Sequence, residues 1–267
     1  MTRWDEALLG VFSEPDAHAK AAKAEAVLAA RDRFDLSQAP DLAAPERPAR
    51  PAKPELVPPQ NVPRRGLGSD RGRGALLHAL AHIELNAVDL AADMALRFAG
   101  EIDDNRRAAF VSDWIQVAGE EGLHFRLLTQ RLASLGCAYG DHPAHDGLWD
   151  AARKTAHDVR ARLAIAPLIL EARGLDVTPG LIEKLTAAGD DASAAVLKRI
   201  YDDEIGHVRT GVTWFMTLCE DVGEDPESSF HKFVVRHFPQ GPKPPFNVWA
   251  RGQATLPEDW YQGVLPH

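Results

Sequence analysis

Glu-x-x-His occurs twice, as Glu121-Gly122-Leu123-His124 and as Glu204-Ile205-Gly206-His207, eighty-three residues apart. Each copy lies in a long run whose apolar residues recur at i, i+3 and i+4, the period of an amphipathic helix. A Glu and a His three apart on a helix share one side, a turn apart. The first run is striped by Trp114, Val117, Ala118, Glu121, Phe125, Leu128, Leu132 and Leu135, with His124 joining the face. The second is striped by Leu197, Ile200, Tyr201, Glu204, His207, Val208, Gly211, Trp214 and Phe215. The motif residues therefore point where the core should be. A charge aimed at a core needs compensation, because burying it unpaired is costly.

Two more runs each carry a single acid on the apolar face. In a helix predicted over 74–99, Glu84 falls between Ala81 and Val88. In a helix predicted over 148–173, Glu171 shares a face with Leu163, Ala164, Pro167 and Leu168. Pro167 removes a backbone hydrogen bond one turn before Glu171 and predicts a kink. Gly174 reads as the stop of that helix, and Thr178-Pro179 as the start of a short helical segment to about 188. The Glu121 helix should span about 104–135, capped by Asp103 or Asp104 and stopped by Gly136; the Glu204 helix should span about 190–221. A further helix is expected near 226–237.

Four carboxylates aimed into one apolar interior would repel each other and lose their hydration. Two divalent metal ions would supply the missing charge. A mixed carboxylate and imidazole donor set suits iron first, with manganese or zinc as alternatives. His78 and His82 sit six and two positions from Glu84, off its face, and read as surface or interhelix histidines rather than ligands. His142 and His145 read as polar loop residues.

The flanks carry no motif. Residues 1–38 suggest one or two short helices, including an Ala/Lys/Glu-rich run with nothing chemically pointed in it. Eight prolines between Pro40 and Pro63 make residues 39–66 an extended arm. It is either a free linker or, as favoured here, a strap anchored by Leu56 and Val57. Arg64, Arg65, Arg71 and Arg73 then form a short basic, glycine-rich loop. The tail from Pro239, with Phe246, Trp249, Trp260 and Tyr261, should pack on the rest. The expected organisation is 1–73, 74–221 and 222–267.

At 267 residues and 45% hydrophobic content the chain suits one large domain with extensions. A formal charge of −9 disfavours nucleic acid as a partner. Cys137 and Cys219, outside any CxxC, read as reduced thiols. The N-terminus has no apolar signal core, and no charge-free apolar window of about 18 residues occurs, so no membrane span is expected and a cytoplasmic location is the default.

The order Glu84 … Glu121-Gly-Leu-His124 … Glu171 … Glu204-Ile-Gly-His207 resembles the ferritin-like di-iron carboxylate superfamily over residues 74–221. The flanks fit none of its familiar members closely, and the whole chain looks most like a branch of unknown function. The resemblance implies an all-α fold: a ferritin-like four-helix bundle with one long crossover, plus the Pro-rich N-terminal arm and the C-terminal tail. It implies Glu121 and Glu204 bridging two metals, with Glu84 and His124 completing one and Glu171 and His207 the other. Glu120 and Asp203 match an extra acid that hydrogen-bonds a ligand histidine in desaturase-like members.

The activity so implied is an oxidoreductase that activates O2, an oxygenase or hydroxylase. Its small-molecule substrate and electron donor are open, and a homodimer is compatible. Tyr201, one turn before Glu204, is the catalytic candidate, as a radical site or hydrogen-bond donor. Gly211 and Ala81 would leave room for substrate. A non-cage ferroxidase or a peroxide scavenger is the alternative.

Overall fold

The computed structural model describes residues 3–62 and 66–264. Arg64 and Arg65 of the expected basic loop lie outside the described residues. The described chain is all helical, without a strand, and holds one isolated parallel bridge between Leu56 and Ala144. Its elements are α1 Trp4–Phe12, α2 Ala17–Ala29, α3 Asp70–Phe98, α4 Asp104–Ser134, α5 Gly147–Lys154, α6 Val159–Ile165, a π-helical segment Ala166–Glu171, α7 Ala172–Ala187, α8 Asp191–Asp221, α9 Pro226–His237, α10 Val248–Gln253 and α11 Glu258–Gln262. They form two compact units, Met1–Trp149 and Asp150–His267.

In the first unit α3 and α4 form an antiparallel hairpin. Its register shows in three places: a methyl at Gly74 would strike Cys137, His124 lies by Glu84, and Arg107 Nε donates to the carbonyl of Ala99 at 2.8 Å. Helix α3 starts at Ser69, whose hydroxyl accepts from the Gly72 amide at 3.2 Å. From Glu84 to Leu96 every residue of α3 is buried, so this helix has no solvent face there. The stretch Asp70–Glu101 is long and apolar enough, by length and composition alone, to cross a membrane, and 78% of its most apolar window is buried in the protein.

Helix α2 lies against α4 because α4 presents glycine there. A Cβ at Gly119 would come within 2.5 Å of Leu28, and one at Gly122 within 2.7 Å of the Ala21 carbonyl. The arm is a strap. Ala49 donates its amide to Phe12 at 3.0 Å, Arg97 donates to the Pro45 carbonyl at 3.1 Å, and Val57 and Ala144 share a backbone bond of 2.8 Å. It is held by backbone groups and by buried Pro48 and Pro54. Leu56, expected as an anchor, is 46% exposed.

In the second unit the predicted third helix is redrawn. Residues 147–154 form their own short helix, and the long helical run starts only after Asp158, whose carboxylate caps Arg160 and Ala161. It then continues through Gly174 and Pro179 to Ala187, so Gly174 is not its stop and Thr178-Pro179 opens no separate segment. Pro167 does disturb the helix, but as a π-helical turn over Ala166–Glu171 in place of a simple kink. Helix α8 is capped by Asp190, which accepts from Ser193 at 3.0 Å.

Gly211 on α8 is a close-approach glycine: a Cβ there would lie 2.5 Å from Pro167. The space it leaves is filled by the π segment rather than by a substrate. Gly211→Ala is therefore expected to destabilise the protein by about 1–3 kcal/mol in urea unfolding, the usual cost of overpacking. Gly174→Ala, a helical position with open space around it, is expected to stabilise by roughly 0.5–1 kcal/mol.

The tail packs as expected. Trp260 stacks on Phe230 and meets Phe215 edge-on, each at 5.5 Å between ring centres. Trp249 is the exception, at 65% exposed.

Candidate metal centre

Helices α3 and α4 bring three of the expected ligands together. His124 Nδ1 lies 3.3 Å from Glu121 Oε2 and 3.6 Å from Glu84 Oε2. One ligand atom from each of the three lies within 4.8 Å of the others. Their exposures are 5% for Glu84 and 0% for Glu121 and His124. Burial, and next the charge of Glu121, push the Glu84 carboxyl up to about 8. Two carboxylates and an imidazole, dehydrated and this close, form a donor set that could hold a cation. A divalent ion would compensate their charge where water does not.

On α8, Glu204 and His207 are also buried, with Glu204 Oε1 and His207 Nδ1 3.8 Å apart. Glu171 is half-buried at the last position of the π segment. It follows Pro167 by four residues, while His207 precedes Gly211 by four. The Pro167–Gly211 contact thus sets Glu171 and His207 at one level of the antiparallel α7–α8 pair. An extra residue in a turn re-aims the side chains after it, and π turns recur at functional sites for that reason.

The remaining site residues have partners on their own helices or on the tail. Glu120 accepts from Gln116 at 2.6 Å, and Gln116 in turn accepts from Arg31 at 3.0 Å. Asp203 accepts from Arg199 at 2.8 Å. The Tyr201 hydroxyl accepts from Asn247 Nδ2 at 3.0 Å, which ties it to the tail. His78 and His82 are both buried, and both hold the 136–147 loop. His82 Nδ1 lies 2.8 Å from the Tyr139 hydroxyl, and His78 Nε2 accepts the Gly140 amide at 2.9 Å. Burial, then Arg50, pull His82 down to about 4, so its ring is neutral.

Sequence reasoning missed a polar knot on the same helix as Glu84. Lys20 of α2 and Asp89 of α3, both fully buried, form an ion pair. Arg50 of the strap completes it, 3.2 Å from Asp89, and also donates to Asn86 at 2.6 Å. Asp93 is bridged by Arg97 at 2.6 Å. The available signal was Asn86, Asp89 and Asp93 lying among apolar residues on every side of one helix.

The chain matches the model of the family described as "Protein of unknown function (DUF455)" over residues 13–262, a span that takes in the strap, both units and the tail. It is 43% identical over 225 residues to a Haemophilus influenzae protein that carries the name "Uncharacterized protein", covering 81% of this chain and 77% of that one. No solved structure matches it. With the family model spanning nearly the whole length, the chain belongs to the DUF455 family.

Proposed function

We propose that the two helical hairpins join as a ferritin-like four-helix bundle around a two-metal carboxylate centre, and that the protein is an O2-activating oxidoreductase, an oxygenase or hydroxylase of a small organic substrate. The observation that carries this reading is the dehydrated Glu84–Glu121–His124 group, two carboxylates and an imidazole with ligand atoms within 4.8 Å. Glu171, Glu204 and His207 would be the matching contribution of the second hairpin. Iron is the first choice of metal, with manganese or zinc as alternatives.

When bound, the metals supply the electrons and Lewis acidity by which O2 is activated. The rest is the chain's own work. Glu84 holds a proton in the metal-free protein and releases it as the ligands take up cation. The wholly buried middle of α3 keeps bulk water from the donors. His124 and His207 are held by helix position one turn after their carboxylates, which fixes the ring directions. Glu120 and Asp203 are proposed as outer acids that set the tautomers of the ligand histidines.

The test is to load the full chain anaerobically with ferrous iron and mix it with O2. Rapid O2 consumption saturating at a few irons per chain is expected. Continued uptake of many irons per chain would identify a storage ferroxidase instead. Faster oxidation by peroxide than by O2 would identify a scavenger.

A further inference from the structure

A cleft of about 190 Å³ opens in the second unit between the π segment and the tail. Ile169, Leu170 and Phe238 give it an apolar wall, and Arg173, Lys243 and Arg251 give it cations. Arg251 is the unusual member, because its side chain is only 1% exposed. Nε and Nη2 bind Asp176 at 2.9 and 2.7 Å, and the rings of Phe246 and Tyr261 lie 4.9 and 4.4 Å from its centre. The remaining nitrogen, Nη1, is buried and has no hydrogen-bond partner among the described residues. A buried guanidinium N–H without an acceptor is costly, and a bound anion would satisfy it.

Charge at the cleft agrees. Asp176 is shared by Arg251 and by Arg173 at 3.4 Å, and the cleft lining itself adds Lys243 and no carboxylate among the described residues. Arg173 is fixed, donating to the carbonyls of Lys243 at 2.6 Å and Pro245 at 3.3 Å. An apolar cavity of about 150 Å³ takes a benzene ring, so the apolar wall suits a ring or a chain of similar size.

We propose that this cleft is a binding site for a small amphipathic carboxylate, whose carboxylate accepts from Arg251 Nη1 near Arg173 and Lys243 and whose apolar body lies on Ile169, Leu170 and Phe238. The inference stands independently of the metal reading. It would, however, place an organic acid on the segment that ends at Glu171.

Titration of the full metal-free chain with hexanoate, followed by ligand-observed NMR and calorimetry, tests it. Hexanoate is expected to bind with a Kd of about 1 mM or below, and hexanol and hexylammonium at least about tenfold more weakly. Leu170→Trp, which fills the cleft from a half-exposed position, should cost hexanoate about tenfold or more with an unchanged melting temperature. Lys243→Glu, on an exposed residue, should weaken hexanoate several-fold and leave hexanol unaffected. Equal binding of hexanoate and hexanol, or wild-type hexanoate affinity in both variants, would overturn the proposal.

Discussion

Glu121→Ala is expected to strip the protein of metal while leaving its fold intact. Glu121 is 0% exposed, on the middle of α4, and its carboxylate lies 3.3 Å from His124 Nδ1. Loss of residues that merely orient ligands costs about 10–100-fold in metal affinity, so loss of Glu121, a ligand on the proposed reading, should exceed about 100-fold. The effect on the metal-free protein has the opposite sign. Removing one of two crowded carboxylates relieves the repulsion that, after burial, raises Glu84, so metal-free Glu121→Ala should melt no lower than the metal-free parent. The two curves separate only when metal is added: the parent's melting temperature rises with metal concentration and the variant's does not. Scanning calorimetry with and without ferrous iron reads both effects in one pair of samples.

The second large effect is on stability alone. Asp89→Ala leaves Lys20 buried against α3 without its carboxylate, and leaves Arg50 of the strap without its ion pair. Breaking a buried pair by removing one partner costs about 3–5 kcal/mol, equivalent to a melting temperature lower by roughly 10 °C for a chain of this size. The strap should loosen with it, so limited proteolysis within 39–62 should accelerate. The paired replacement Lys20→Met with Asp89→Leu is expected to lose less than Asp89→Ala by itself, because no lysine is left buried unpaired. Equal losses in the single and paired variants would show that the knot is held by something other than this ion pair.

Much of this fold could be read from the residues because local signals and tertiary burial agree. The helices expected at 74–99, 104–135 and 190–221 appear as Asp70–Phe98, Asp104–Ser134 and Asp191–Asp221. Apolar period marked all three, and for the second an acid at the start, Asp103 or Asp104, and Gly136 after the end pointed the same way. Asp103 illustrates the limit of the cap signal. It occupies the N-cap position, but its carboxylate pairs with Arg106 at 2.7 Å and does not bond the helix amides.

Helix three misled because proline and glycine were read as breaks. Packing against α8, where Gly211 admits Pro167, lets the chain carry Pro167 in a π turn and run on through Gly174 and Pro179. The break came instead just before Asp158, where a side-chain cap was available. Lys20 was illegible for another reason. An Ala/Lys/Glu-rich helix looks solvated, and only the arrival of Asp89 from α3 explains a lysine on its buried face.

The candidate site was legible to the extent that it rests on helical phase. Glu84, Glu121 and His124 meet because each lies on the apolar stripe and the α3–α4 hairpin is antiparallel. Tyr201 shares that phase on α8, yet its hydroxyl binds Asn247 of a tail whose path no periodicity encodes. The π turn at Glu171 was likewise outside what spacing by 3.6 residues can foresee.

The most direct measurement is metal per chain, by inductively coupled plasma mass spectrometry, on the full protein loaded anaerobically with ferrous iron and then desalted. Two irons per chain are expected for the parent, with content falling sharply both in Glu121→Ala, from the first hairpin, and in Glu204→Ala, from the second. Background metal in the folded parent, or a Glu204→Ala protein that keeps the parent's full content, would contradict a shared two-metal centre.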